Sequence, residues 1–136
     1  MKPDDLPRFL RELAELRLLP PGERAAPLLA LFERSDFAPK SLELRAKKRR
    51  CRVPAITLAK LTTHHRDILA DGYARRAYVP ETTLQEIVWC PHLNTVLLYV
   101  SSYTGEDTYN RIPSRRITSY SLLDHVEAAA RIAAAI

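Results

Sequence analysis

The sequence predicts an α+β fold, with a helical hairpin and a third helix first, a small antiparallel sheet next and one helix closing the chain. Three observations support this prediction. Apolar residues recur at helical spacing towards both ends of the chain, whereas residues 94–103 alternate between two apolar faces. The regular β-α-β alternation of a doubly wound parallel sheet is absent, which favours separate groups of helices and strands.

The first 36 residues predict an antiparallel helical hairpin. After a capping Asp at position 4 or 5, five apolar residues follow helical spacing: Leu6, Phe9, Leu10, Leu13 and Leu16. Pro20-Pro21-Gly22 ends that helix. The second helix presents Leu28, Leu29 and Phe32 on its apolar side.

A basic segment, residues 37–56, separates this hairpin from the rest of the domain. Pro54 breaks any regular element before it. Four apolar residues and one histidine then follow helical spacing again: Leu58, Leu61, His65, Ile68 and Leu69. With Gly72 as a C-terminal stop, this spacing predicts the third helix over residues 57–71.

The remainder of the chain, up to residue 136, predicts the sheet and the closing helix. Ile87–Trp89 indicates a short strand that Pro91 stops, and Asn94–Tyr103 indicates a central strand because both its faces are apolar. A turn at Thr104–Asp107 then leads to a return strand. The return strand is expected at Thr108–Ile112, and after Pro113 a further strand segment at Arg116–Tyr120. Ser121 and Asp124 then cap the closing helix. Its apolar residues are Leu122, Val126, Ala129, Ile132, Ala133 and Ile136.

Length and composition predict a single domain over residues 1–136, with 46% hydrophobic and 27% charged residues. No apolar run approaches the roughly 20 residues of a membrane-spanning helix, and the N-terminal residues do not resemble a secretory signal. Two cysteines are too few for a disulfide framework, so we expect a cytoplasmic protein without a membrane partner. Three glycines are too few for a phosphate-binding Gly-rich loop, and the Arg/Ala/Leu-rich composition is typical of a bacterial or mobile-element protein.

The charge distribution is the most informative functional feature. Between Phe37 and Arg66 there are nine Lys or Arg residues and one acidic residue, a net charge of +8, whereas both flanking parts of the chain are slightly acidic. Six cations form its centre: Arg45, Lys47, Lys48, Arg49, Arg50 and Arg52. Such a cluster predicts a polyanionic partner, and six phosphate contacts would give a logarithmic salt slope of roughly −5.

Tyrosines and arginines on the predicted sheet extend this prediction to nucleic acid, either DNA or RNA. Tyr rings stack on unpaired bases while Arg side chains hold phosphates. The residues expected to continue the binding surface are Arg75, Arg76, Tyr99, Tyr103, Arg111, Arg115 and Arg116, with Tyr109 and Tyr120 nearby in sequence. We assign no catalytic residue, metal ligand or cofactor.

Two other functions are consistent with the same residues. The basic cluster suits an acidic protein surface, as expected of an accessory subunit or an inhibitor of a nucleic-acid enzyme. A small metal-independent ribonuclease would need a base, an acid and cations, for which His64, His65, His125, Glu86, Tyr99, Arg111 and Arg115 are candidates without any characteristic spacing. Ala-rich positions in the last helix are compatible with a homo-oligomer.

Two further motifs are weaker. A helix-turn-helix can be drawn through Ile56–Arg76, although the usual Gly in the turn is missing. His65, Cys90 and His92 are residue types that bind zinc, but their spacing matches no established zinc motif.

Overall fold

The computed structural model describes residues 1–37 and 55–135. These residues form three α-helices and a four-stranded antiparallel sheet. The elements are α1 (Leu6–Leu16), α2 (Ala25–Arg34), β1 (Ile56–Asp71), β2 (Arg76–Cys90), β3 (Thr95–Thr104), β4 (Arg115–Leu122) and α3 (His125–Ala135). The strand order is β1-β2-β3-β4, and the α+β class is confirmed. Within the described ranges, no helix combines the length and apolarity needed to cross a membrane.

The predicted helical hairpin is confirmed as α1 and α2. Phe9 of α1 packs edge-on against Phe32 of α2 and against Phe37, with ring centres 5.5 and 5.8 Å apart. Arg24 closes the connection because its guanidinium donates to the carbonyl oxygens of Leu19 and Arg17, each at 2.8 Å. These bonds satisfy the carbonyl of Arg17, which caps the C-terminal end of α1, and that of Leu19 in the connection.

The predicted helix over residues 57–71 is wrong, because these residues belong to β1. Two register shifts, between Thr57 and Ala59 and between Lys60 and Thr62, explain the helical spacing. Each shift inserts one residue, Leu58 or Leu61, and both pack into the core beneath the helices. Two bulges three residues apart therefore produce an apolar period of three within a strand.

Gly72 does not end a helix but lies in the turn between β1 and β2. Its amide donates to the carbonyl oxygen of Arg75 at 3.1 Å. A Cβ atom there would lie 2.7 Å from that oxygen and 2.7 Å from the Cβ atom of Asn110. Glycine is therefore required at this turn by the close approach of the loop that follows β3.

The central position of β3 is confirmed, since it pairs with β2 on one side and β4 on the other. The short strand predicted at Ile87–Trp89 is part of the longer β2. Thr108–Ile112 is not the return strand: it contributes an isolated bridge from Asp107 to Ile112, and β4 is the element that pairs with β3.

The closing helix is confirmed but begins later than predicted. Ser121 and Leu122 belong to β4. Asp124 caps α3, because its Oδ1 accepts a hydrogen bond from the backbone N–H of Glu127 at 2.8 Å. Ala128, Ala129 and Ile132 face the core, whereas Val126, which the spacing placed on the apolar side, is 62% exposed.

The main core lies between the helices and one face of the sheet. Its largest fully buried side chains include Trp89 of β2 and Phe32 of α2. On β3, Val96, Leu98 and Val100 point to this face, as the alternation predicted. A smaller apolar cluster on the other face contains Val88, Cys90, Leu97 and Leu122. The two faces of the sheet therefore differ, and the second face holds the candidate site.

Candidate nucleic-acid interface

Alternation along β3 places Tyr99 and Tyr103 on the sheet face opposite the helices. Val96, Leu98 and Val100 occupy the helix-facing positions, so the odd-numbered residues point the other way. Tyr99 is half-buried beside Leu97, and Tyr103 is 40% exposed. Ser101, between them on the same face, is 2% exposed, so Tyr103 is the accessible tyrosine of β3.

Pairing with β4 completes two cross-strand pairs on this face. Tyr99 lies opposite Tyr120, with ring centres 5.0 Å apart and ring planes at 44°. Tyr103 lies opposite Arg116, whose guanidinium carbon is 5.2 Å from the Tyr103 ring centre. We call these four residues the tyrosine row. Its two pairs lie four residues apart, about 13 Å along the strand.

Register also aligns four side chains across the whole sheet. Lys60 of β1 is opposite Glu86 of β2, Glu86 is opposite Tyr99, and Tyr99 is opposite Tyr120. The Glu86 carboxylate accepts a hydrogen bond from the Thr57 hydroxyl, with Oγ1 and Oε2 2.8 Å apart. A cleft of about 220 Å³ opens here. It is lined by Ala55, Thr57, Glu86, Val88, Tyr99 and Tyr120.

The central basic cluster lies outside the described residues. Its members are Arg45, Lys47, Lys48, Arg49, Arg50 and Arg52. In the sequence, Arg52 precedes the first residue of β1, Ile56, by four positions. The cluster is therefore close in sequence to the strand that carries Thr57 and Lys60.

The other predicted arginines do not all reach the tyrosine row. Arg76 donates to the Asp71 carboxylate at 2.8 Å, at the far end of the β1–β2 hairpin. It lies six residues along β2 from the position opposite Tyr103, about 20 Å away. Arg115 pairs with Thr104 and points to the opposite face. Of the residues predicted to form the binding surface, Tyr99, Tyr103 and Arg116 lie together in the tyrosine row on the second face.

Arg75, Arg111 and Tyr109 belong to the loops at that far end. The Arg111 guanidinium carbon lies 4.4 Å from the centre of the exposed Tyr73 ring, a cation–π contact. Tyr73 is held there because its amide donates to the carbonyl oxygen of Asn110 at 2.6 Å. This pair forms a second aromatic and cationic patch, separate from the tyrosine row.

Asp107 organises the loop that carries Arg111. Its carboxylate accepts hydrogen bonds from the backbone and the side-chain amide of Asn110, at 3.1 and 3.0 Å. These two bonds, the side-chain one foremost, lower the pKa of Asp107 below its ordinary value of 3.8. The carboxylate therefore stabilises the folded loop above the unfolded pKa, and this contribution disappears as the pH falls through the folded value.

We expect acid to open this loop before the rest of the sheet. Lowering the pH from about 5 to about 3 should lower the protection factors of the Asn110 and Ile112 amides, which are exchange rates corrected for the intrinsic rate at each pH, whereas the protection of β3 amides changes less. Asp107→Asn should remove most of this pH dependence, because the amide does not titrate in that range. Equal acid sensitivity in the variant would show that another group controls the loop.

Three alternative sites are not assembled by the fold. The helix-turn-helix drawn through Ile56–Arg76 is wrong, because this segment is β1, a turn and the first residue of β2. The zinc candidates are apart: His65 is opposite Thr82, eight residues or about 27 Å along β2 from Cys90. Within residues 1–37 and 55–135, no group of three or more His, Cys, Asp or Glu side chains is arranged to hold a metal ion.

The ribonuclease candidates are likewise dispersed. His64 and His65 point to opposite faces of β1, and His65 Nδ1 lies 2.9 Å from the Thr82 hydroxyl oxygen. His125 lies at the start of α3, with its ring centre 6.0 Å from that of Phe37. Glu86 and Tyr99 share the cleft, but no histidine lines it.

Thr57 and Lys60 also belong to the site, although the sequence pattern did not predict them there. Both were assigned to a helix, and the bulges of β1 hide the strand alternation that would have placed them on the second face. The Thr and Ile content of β1 was the available signal, since β-branched residues favour strands. No protein-family model, curated protein or solved structure matches this chain.

Proposed function

We propose that this protein is a non-catalytic module that binds single-stranded nucleic acid, either DNA or RNA. In this proposal, the basic cluster grips phosphates and the tyrosine row receives bases. The observation that carries it is the row itself: Tyr99, Tyr103 and Tyr120 share one sheet face with Arg116.

The geometry of the row favours a single strand as the ligand. Aromatic side chains on a sheet bind nucleic acid by stacking on bases, and a base in a duplex is already stacked on its neighbours. Tyr103 is accessible enough to receive a base, and Arg116 beside it can reach a phosphate or extend the stacked surface. The pairs are about 13 Å apart, which suits an extended strand crossing the face.

The charge distribution supports the same proposal. The whole positive excess of the chain lies in the segment from Phe37 to Arg66, and the chain has a net charge of +5. Closely spaced cations release condensed counterions when they meet phosphates, which supplies affinity without sequence preference. The segment continues in sequence into β1, where Lys60 lies across from Glu86 on the second face.

Removing one exposed pair of the row tests this proposal. We expect the double variant Tyr103→Ser/Arg116→Gln to lower the affinity for labelled oligothymidylate by about 10-fold or more, since one stacked base contributes roughly 1–3 kcal/mol. Fluorescence anisotropy at fixed salt measures the change.

Tyr109→Ser is the matched control for this variant. Tyr109 is 81% exposed but lies in the loop after β3 rather than on the row. We expect its affinity for oligothymidylate to remain within about 2-fold of the wild-type value. If both variants lose affinity equally, or if neither does, the row is not the base-binding surface.

A further inference from the structure

The cleft beside Tyr99 combines aromatic rings with a carboxylate, a combination that the Tyr103–Arg116 pair lacks. Its walls are Tyr99 and Tyr120 on one side and the half-buried Glu86 carboxylate with Thr57 on the other. Because Lys60, Glu86, Tyr99 and Tyr120 are aligned across four strands, a cation, an anion and two aromatic rings occur in one line. Neighbouring strands are about 4.8 Å apart, so Glu86, Tyr99 and Tyr120 span about 10 Å and are within reach of one small planar ligand, whereas Lys60 lies one strand further out.

The Glu86 carboxylate is held by one hydrogen bond and can still accept others from a ligand. An ionised carboxylate has about four lone-pair sites and no donor. Among the residues that the structure describes, Thr57 donates the hydrogen bond to this carboxylate, at Oε2. That bond orients the carboxylate on the sheet and leaves Oε1 to accept from a ligand.

A planar ligand that stacks on tyrosine and donates to a carboxylate is a nucleobase. The bases differ in the donors on their Watson–Crick edges. Guanine offers two adjacent donors, N1–H and the N2 amino group, whereas adenine, cytosine and thymine each offer a single donor group beside an acceptor. An acceptor-only carboxylate therefore matches guanine best, and it repels the carbonyl oxygens or ring nitrogens of the others. That edge is exposed in a single strand and occupied in a duplex.

We propose that this cleft is a guanine-binding site within the single-strand surface. The base stacks on Tyr99 and Tyr120, Glu86 accepts from its N1–H and N2 amino groups, and Lys60 neutralises an adjacent phosphate. This inference rests on the proposed function and adds a base preference to it. The cleft would recognise the base at one position of the bound nucleic acid, whereas the basic cluster binds phosphates without regard to sequence.

The test compares oligothymidylates that differ at one central base. Wild-type protein should bind the oligonucleotide with a central guanine about 10-fold more tightly than oligothymidylate itself, because a bidentate base contact is worth roughly 1–3 kcal/mol. Central adenine and cytosine should resemble thymine. A central hypoxanthine, the base of inosine and equal to guanine without the N2 amino group, should lose most of the preference.

Glu86→Gln isolates the carboxylate with little change in shape. Its amide NH₂ opposes the guanine donors and its neutral group no longer repels the thymine carbonyls, so the ratio of guanine to thymine affinity should fall to near 1. The control is Glu81→Gln on the same strand, whose carboxylate is 2.7 Å from Arg66 Nε and whose position points to the opposite face. It should keep the wild-type preference.

The outcomes separate this inference from the proposed function. Equal affinity of the wild-type protein for all central bases would overturn the guanine site while single-strand binding stands. A guanine preference that survives in Glu86→Gln would also overturn it, since another group would then read the base. No binding of any oligonucleotide would overturn both proposals.

Discussion

Replacing the six central cations by Gln should lower the affinity for a labelled single strand by about 300-fold at about 50 mM salt, the loss that a fourfold rise in salt causes when six phosphates of a single strand are contacted. The physical reason is counterion release: each cation that meets a phosphate contributes to affinity and to its salt dependence. The variant replaces Arg45, Lys47, Lys48, Arg49, Arg50 and Arg52. Its logarithmic salt slope should become shallower by about 4, which leaves the smaller slope contributed by the phosphate contacts of Lys60 and Arg116.

A charge-matched variant separates this local effect from the net charge of the chain. The structure offers six exposed cations remote in sequence from the cluster: Lys2, Arg8, Arg11, Arg17, Arg34 and Arg131. Arg34 pairs with Glu12 at 3.1 Å, an exposed ion pair whose loss costs little stability. Replacing these six by Gln changes the net charge equally. Equal loss of affinity in both variants would show that overall charge, rather than the basic cluster, attracts the strand.

The largest expected effect on stability comes from Trp89. Its indole is fully buried between the sheet and the helices, and its Nε1–H donates to Asn94 Oδ1 at 3.0 Å. Asn94 has a positive φ of 50° in the turn after β2, and its amide nitrogen donates to the carbonyl oxygen of Asp36 at 2.8 Å. Trp89 therefore anchors both the core and the turn that contacts the chain after α2.

Trp89→Ala should lower the free energy of unfolding by about 3–5 kcal/mol, through lost burial and the cavity left behind. That is a large share of the roughly 5–15 kcal/mol that stabilises a typical domain. Because Trp89 is the single tryptophan of the chain, urea unfolding should be followed by far-ultraviolet circular dichroism. Tyr109→Ala, at an 81% exposed aromatic residue, should change stability by less than about 0.5 kcal/mol. A loss below about 1 kcal/mol for Trp89→Ala would contradict the assigned core.

The sequence predicted the elements whose periodicity is undisturbed. The spacing of Leu6 to Leu16 identified α1, and the alternation from Val96 to Tyr103 identified both faces of β3 and its central position. β1 was missed because its bulges at Leu58 and Leu61 imitate a helical period. Local pattern is informative where one periodic rule applies to a whole element, and bulges break that rule.

The candidate site was predictable in part for a related reason. Alternation alone places Tyr99 and Tyr103 on one face, and the composition of β4 supplies Arg116 and Tyr120. The alignment of Lys60, Glu86, Tyr99 and Tyr120 depends on the registers of three strand pairs. Each register is set by a turn, and the long loop between β3 and β4 follows no standard hairpin length, so the alignment cannot be read from sequence.

The most direct test of the account is a salt titration of wild-type binding to labelled single-stranded and double-stranded oligonucleotides, measured by fluorescence anisotropy. We expect tighter binding to the single strand and a logarithmic salt slope of about −4, the value for six phosphate contacts on a single strand. Absence of binding to both forms at low salt would contradict it and would direct attention to an acidic protein as the partner of the basic cluster.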